Sequence, residues 1–347
     1  MTDERVLGTV QGPSSLARTT ITAHIRDGHL EQWEGIVMRN RTRVAGAAIL
    51  LLAMVSCGED KVAQKPAVAF EGTIVLAGMV EVEVEGDSGT TMASAIYLLD
   101  AQGARVLTSN GAIQDANPAW SPDGRQIAYI TTDYQLAVIN RDGTGGATLT
   151  PKSSDQSLWP SHPAWLPNGD ITVETDGKLV VLGADGTGVA VLSPPDFTDL
   201  YTLSPDGTQV VYDCSTSVSS QICLFRLDTG EAQPRVTAPR PFYSFSWSPD
   251  GTQIVAGGST GAQDLAADEM YEDLFVFGAD GSGMRALPQP GEEANPAWSP
   301  DGKKIVYNAY VGSGSDTELG LWMMNADGTG ATLLLNRALR QPDWTAR

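Results

Sequence analysis

Few residues in this chain have the type and spacing for chemistry. Of three cysteines, Cys57 stands alone, whereas Cys214 and Cys223 lie close together in VVYDCSTSVSSQICLFRLD. Of three histidines, only His162 lies beyond Cys57, and one imidazole cannot supply a His-rich catalytic zinc set. GGSTG at 257–261 fits the G-x-S-x-G pattern of a nucleophile elbow. That elbow needs a strand-to-helix turn and a histidine partner. Here the segment follows IVA and enters the acidic stretch AQDLAADEMYED, so serine hydrolysis is rejected. Asp264, Asp268, Glu269, Glu272 and Asp273 cluster in that stretch, and Asp316 and Glu318 form a second, smaller group. A hard cation such as Ca²⁺ takes oxygen ligands of this kind. Neither stretch has the fixed spacing of an EF-hand loop, and a solvated acidic face is the plainer reading.

The cysteines divide by position. Eight residues separate Cys214 from Cys223, which excludes a C-x-x-C redox site. If the two flanking apolar runs form a hairpin, the pair can face each other, and an exported protein permits their oxidation. Cys57 instead ends a series: RNRTR at 39–43, the twelve-residue apolar run VAGAAILLLAMV at 44–55, then Ser56 and Cys57. A basic segment, a short apolar core and small residues form an export signal, and the run is short for a membrane-spanning helix. With the cysteine at its end, MVSC at 54–57 resembles a bacterial lipoprotein signal, with Met where Leu is usual. That resemblance implies a lipidated Cys57 at the mature N-terminus. Met38 precedes the basic segment, so residues 1–37 read as a mis-annotated or disordered extension, 38–57 as the signal and 58–68 as a tether.

The chain beyond the tether is repetitive. NPAWSPDG occurs at 117–124 and again at 295–302. Aligned on its Trp, the series runs NPAW, HPAW, YTL, FSW, NPAW and QPDW, in steps of 45, 38, 44, 51 and 46 residues. The first five copies lead through SPDG, or LPNG at 166–169, into apolar runs such as RQIAYI and KKIVYNA. Pro presets φ in the turn, Asp bonds back to nearby amides and Gly accepts a positive φ. A third strand follows each pair and ends in a second glycine turn, as in LVVLGADG and LWMMNADG, and a short fourth strand follows most of them. Four strands recurring at this period predict an all-β fold, a β-propeller. The regular Trp120, Trp165, Trp247 and Trp298 read as framework, one ring per blade boundary. Trp159 breaks that series and stands near His162, which takes the place of Asn117 and Asn295 at a predicted channel mouth.

The two ends of the repeat region are each incomplete. QPDW at 341–344 is a first strand without successors, while GTIVLAG, IYLLD and ARVLTS are second, third and fourth strands without a first. Joining them completes a sixth blade by one-plus-three closure and removes an open edge. The WSPDG, KIVY-like and LWMMNADG-like series resembles the TolB-type, or WD40-like PD40, propeller over residues 69–347. TolB-type proteins place a small α/β domain ahead of the propeller and work in the periplasm against a peptidoglycan-associated lipoprotein. Only a short tether separates Cys57 from the first predicted strand here, so the resemblance implies the propeller without that domain. It marks the blade framework and not a specificity.

Two function classes follow. Glycine and proline are abundant (37 and 20) and the net charge is −20. An acidic surface argues against a nucleic-acid partner, which needs a basic footprint. The first 57 residues hold six Lys/Arg against five Asp/Glu, so the acidity lies beyond Cys57. The leading expectation is a non-catalytic binding or scaffold protein of the bacterial envelope. It would be held to the membrane through Cys57 and would engage an envelope protein or a glycan, with His162, Trp159, Asn117 and Asn295 as a candidate binding face. The alternative is a carboxylate- or metal-dependent carbohydrate-active enzyme working on the channel face. A propeller hosts either class.

Overall fold

The computed structural model describes three early strands and most of the chain from residue 66 to 346. Outside the described residues are 1–2, 12–17, 27–28, 34–65, 67, 84–89, 109–115, 132, 150–159, 195–196, 198–199, 216–219, 239–241, 260–271, 288–292, 312–317, 338 and 347. The chain forms two compact units, Met1–Asp60 and Lys61–Arg347. In the first, β1 (Asp3–Gln11), β2 (Arg18–Arg26) and β3 (His29–Trp33) form a three-stranded antiparallel sheet within the segment read as an extension. No helix among the described residues is long and apolar enough to cross a membrane.

In the second unit, β4 (Thr73–Glu83), β5 (Thr90–Asp100) and β6 (Gly103–Val106) pair with the last strand, β27 (Leu339–Thr345), in the order β27-β4-β5-β6. Trp344 lies opposite Ile74, and Ile74 opposite Leu99. This is the expected one-plus-three closure, designated blade 6. The other blades run in chain order. Blade 1 holds β7 (Ala116–Trp120), β8 (Gln126–Ile130), β9 (Leu136–Asn140) and β10 (Ala147–Thr148). Blade 2 holds β11 (Ser161–Trp165), β12 (Ile171–Thr175), β13 (Lys178–Leu182) and β14 (Gly188–Leu192). Blade 3 holds β15 (Tyr201–Leu203), β16 (Gln209–Asp213), β17 (Ser220–Arg226) and β18 (Ala232–Ala238). Blade 4 holds β19 (Phe242–Trp247), β20 (Gln253–Ser259), β21 (Glu272–Gly278) and β22 (Arg285–Ala286). Blade 5 holds β23 (Glu293–Trp298), β24 (Lys304–Val311), β25 (Glu318–Asn325) and β26 (Thr332–Leu335). The first strands β7, β11, β15, β19, β23 and β27 each lie against the next, and β27 lies against β7, so the ring closes with six blades.

Side chains on a strand point alternately to its two faces, and each blade is covered on both. Ile74 and Leu76 enter the cluster shared with blade 5, whereas Val75 enters the one shared with blade 1. The same partition gives six apolar clusters, one at each junction between neighbouring blades. The middle strands are therefore continuous runs of Val, Ile, Leu and Tyr. Trp120, Trp247, Trp298 and Trp344 each fill the junction with the preceding blade, and Trp165 packs against its own. Blade 3 lacks the Trp and uses buried Tyr201 with half-buried Leu203.

Candidate functional site

Antiparallel four-stranded blades put two kinds of connection at opposite ends of the ring. The first-to-second and third-to-fourth turns fall at one end, here the turn end. The second-to-third loops and the crossovers to the next blade fall at the other, the loop end.

The turn end is dominated by two recurring turns. In SPDG, the Ser121 hydroxyl donates to Asp123 Oδ1 at 2.7 Å, and the Gln126 amide donates to Ser121 Oγ at 2.9 Å. Ser204–Asp206, Ser248–Asp250 and Ser299–Asp301 repeat that hydroxyl–carboxylate bond. These serine hydroxyls, followed by turn amides, hold Asp206, Asp250 and Asp301 below the usual aspartate range. In the other turn series, Thr144, Thr187 and Thr329 hydroxyls and amides do the same to Asp142, Asp185 and Asp327. Glycine supplies the left-handed residues, as at Gly124 (φ 66°) and Gly302 (φ 69°).

The loop end is built differently. Among the described residues, the left-handed non-glycine positions are Asn117 (φ 55°), Tyr134 (53°), His162 (47°), Asp176 (52°), Asn295 (50°) and Gln341 (52°), and all six lie at this end. Four of them precede the proline of an inner strand. Proline lacks the N–H for a ladder and is tolerated on edge strands and at bulges. Each of these four inner strands accordingly slips register around the pair, between Ala116 and Ala119, Ser161 and Ala164, Ala294 and Ala297, and Arg340 and Asp343. Blade 3 has YTL without proline and pairs without a slip. The bulges bring His162, Asn117 and Asn295 to equivalent half-buried places at the loop-end start of the inner strands.

These positions are bonded laterally. The Asn117 amide donates to Gln341 Oε1 at 2.9 Å, and Gln341 Nε2 donates back to Asn117 Oδ1. Further along the same two strands, the Trp120 amide donates to Asp343 Oδ2 at 2.7 Å. Blades 4 and 5 repeat the arrangement, Asn295 and Trp298 amides donating to Ser244 and Ser246 hydroxyls at 3.2 and 3.3 Å. Burial pushes the Asp343 carboxyl up, partly offset by the Trp120 and Trp344 amides. His162 Nδ1 lies 3.0 Å from Ser161 Oγ, and that hydroxyl donates to Glu174 Oε2 at 2.8 Å. Glu174 is 8% exposed, and its Oε1 accepts the Gly177 amide at 2.8 Å.

The other sequence candidates fall as follows. Cys214 and Cys223 form a disulfide with Cα atoms 5.7 Å apart. Tyr212 pairs with Cys223, so the two cysteines sit diagonally on one face of the β16–β17 hairpin at the loop end. Asp273 is half-buried opposite Gly258, and Glu272 stands in register with Ser259. Trp159, Asp264, Asp268, Glu269 and Cys57 lie outside the described residues. No group of three or more His, Cys, Asp or Glu side chains among the described residues is placed to hold a metal ion. Ser259 of GGSTG ends an antiparallel strand paired to β21, which is not an elbow. Gln341, Asp343, Ser161, Glu174, Tyr243 and Tyr310 were not singled out from sequence. Only Gln341 carried a signal, through its alignment with Asn117 and Asn295.

No family model matches the chain. Among curated proteins, the uncharacterized peptidase YuxL of Bacillus subtilis is 27% identical over 122 residues, covering 33% of this chain and 18% of that protein. The match thus spans about a fifth of that relative's length. TolB from Acinetobacter baumannii superimposes with a TM-score of 0.62 at 15% identity, covering 99% of this chain and 81% of that one. A TolB-like structure from Agrobacterium tumefaciens gives 0.57 at 16% identity, covering 79% and 93%. A chain of a nidogen/laminin complex gives 0.58 at 12%, covering 79% and 98%. At these identities the likeness is one of fold: a six-bladed β-propeller structurally related to TolB proteins.

Proposed function

We propose that this is an exported, envelope-attached, non-catalytic binding or scaffold protein whose loop end engages a partner protein. The difference between the two ends carries this reading. Left-handed non-glycine residues cost strain and persist where the surroundings over-determine them, which is often at functional sites. All six described here occupy the loop end, while glycines absorb the turns of the other. Tyr134, Tyr243 and Tyr310, at 48%, 39% and 41% exposure, are also on the loop end. Exposed aromatics of this kind are enriched at protein interfaces. The longest of the five repeat steps, 51 residues, is the one that contains the second-to-third connection of blade 4.

The export signal and Cys57 supply the location in this proposal, since multiple acyl chains give stable anchoring where one is marginal. Affinity capture from envelope extracts tests the interaction. The protein and a turn-end variant, Arg125→Glu, should retain the same partner, and Tyr243→Asp at the loop end should lose it. Equal retention by all three baits would overturn the proposal.

A further inference from the structure

We infer that the turn end of the propeller is the face held against the lipid surface, and that the loop end points away from it. The orientation rests on the Cys57 anchor proposed above and adds which face that anchor presents. The chain enters the propeller at the turn end, where Thr73 of β4 lies opposite Thr345 of β27. The residues just ahead are fastened to the same place. Val68 and Phe70 pack on the apolar cluster between blades 5 and 6. The Phe70 ring meets Trp344 edge to face at 5.6 Å, and Trp344 Nε1 donates to the Glu71 carbonyl at 2.9 Å. From a turn of blade 1, the Arg141 guanidinium donates to Thr73 Oγ1. Gly72, at a φ of +89°, then leads the chain into β4 past the Thr345 carbonyl. The place of entry is therefore fixed by the packed ring.

Length limits what an anchor at Cys57 can do. Nine residues lead from Cys57 to Pro66, and a fully extended chain of that length reaches about 30 Å. To lay the loop end on the membrane, the chain would have to run from the junction of blades 5 and 6 outward across a blade and then up its height. Three strand spacings outward and the eight-residue length of β24 make a path of about 40 Å. Blade 6 is taller still, because β4 and β5 stay paired beyond Gly78, the last residue joined to β27, as far as the Glu83–Thr90 row. The loop end is thus out of reach of the bilayer, whereas the turn end is not. The two surfaces suit that direction. The three ion pairs among the described residues, Asp123–Arg125, Asp228–Arg226 and Asp301–Lys303, all lie at the turn end. Of the exposed large apolar side chains described, Tyr134, Tyr243 and Tyr310 are at the loop end, and Val191 is on the outer strand of blade 2. The turn end can therefore face headgroups without inserting. Its many aspartates offer no basic footprint for anionic lipid, so the tether and not adsorption sets the orientation.

The test uses the full acylated chain in phosphatidylcholine vesicles that carry a lipid-borne energy acceptor. A fluorescent residue is placed at Arg125 or Thr252, the same turn position in the opposite blades 1 and 4, or at Tyr134 or Tyr243, at the loop end of those blades. With the two ends about 20 Å apart, both turn-end positions should transfer about twofold more energy than either loop-end position, at low and high salt alike. Inserting about 30 Gly/Ser residues after Lys65 frees the tether and should erase the difference. Equal transfer from the two ends of the unaltered chain, higher transfer from the loop end, or a difference that survives the insertion would overturn the inference. A chain that does not join the vesicles contradicts the lipid anchor. The Cys57 thiol, the other two cysteines being bridged, can then be coupled to a maleimide lipid, and the same readings decide the orientation by themselves. If the turn end faces the bilayer while the loop-end bait captures no partner, the orientation stands and the proposed interaction falls.

Discussion

Removing the Cys214–Cys223 bridge should destabilise blade 3 by an amount that its position fixes. The two residues are nine apart in sequence. Cross-linking a loop of about 10 residues restricts the unfolded chain by about 9 cal/mol/K, or about 2.7 kcal/mol at 25 °C. Both cysteines are buried within the cluster shared by blades 2 and 3. Cys214→Ala/Cys223→Ala thus gives up little packing beyond two sulfur atoms, and the chain-entropy figure is the main cost. In a Cys57→Ser background, urea unfolding should show the wild-type pair losing about 1 M in midpoint when a reductant is added, for a slope near 3 kcal/mol/M. The double alanine variant should start at the reduced value and ignore the reductant. Hydrogen exchange should place the loss in β16 and β17. An unchanged wild-type midpoint under reduction, or a reductant response in the double variant, would refute the reasoning.

Three further outcomes are expected. The turn aspartates have folded values below the ordinary aspartate value of about 3.9, so their stabilisation is present above it and is lost as pH falls through the folded values. Unfolding followed by circular dichroism should accordingly set in below about pH 4, with the Ser204→Ala, Ser248→Ala, Ser299→Ala triple variant less pH-sensitive there. Asp343 acts in the opposite sense, because its raised value makes its contribution fall as pH rises. Gly72→Ala should cost about 1–3 kcal/mol and loosen the β27–β4 closure, since a Cβ at its φ of +89° would sit 2.2 Å from the Thr345 carbonyl oxygen; hydrogen exchange along β27 checks this. Mass spectrometry of the mature N-terminus should find an acylated Cys57, and an unmodified cleaved terminus would remove the lipid anchor from the proposal.

The blade framework was legible because its chemistry is local and repeated. A proline, an aspartate and a glycine in SPDG dictate a turn wherever they occur, and the unfinished ends could only complement each other. Gln341 could be read through its alignment with Asn117, and His162 likewise. Glu174 could not, because ITVET is an ordinary buried strand until its register sets the carboxylate against Ser161. Asp343 was equally hidden. It replaces the alanine of NPAW, and its role depends on blade 1 lying beside the closing strand. The exposure of Tyr243 and Tyr310 is likewise a property of the assembled ring, since tyrosines in similar runs, Tyr212 and Tyr307, are fully buried.

Site-specific photo-crosslinking in living cells tests the central claim most directly. A photoreactive phenylalanine derivative placed at Tyr243 and at Tyr310 samples the loop end, and the same group at Arg125 and at Asp228 samples the turn end. The account predicts that both loop-end positions trap the same protein and that neither turn-end position does. An adduct formed only from the turn end, or none from any of the four, would contradict it.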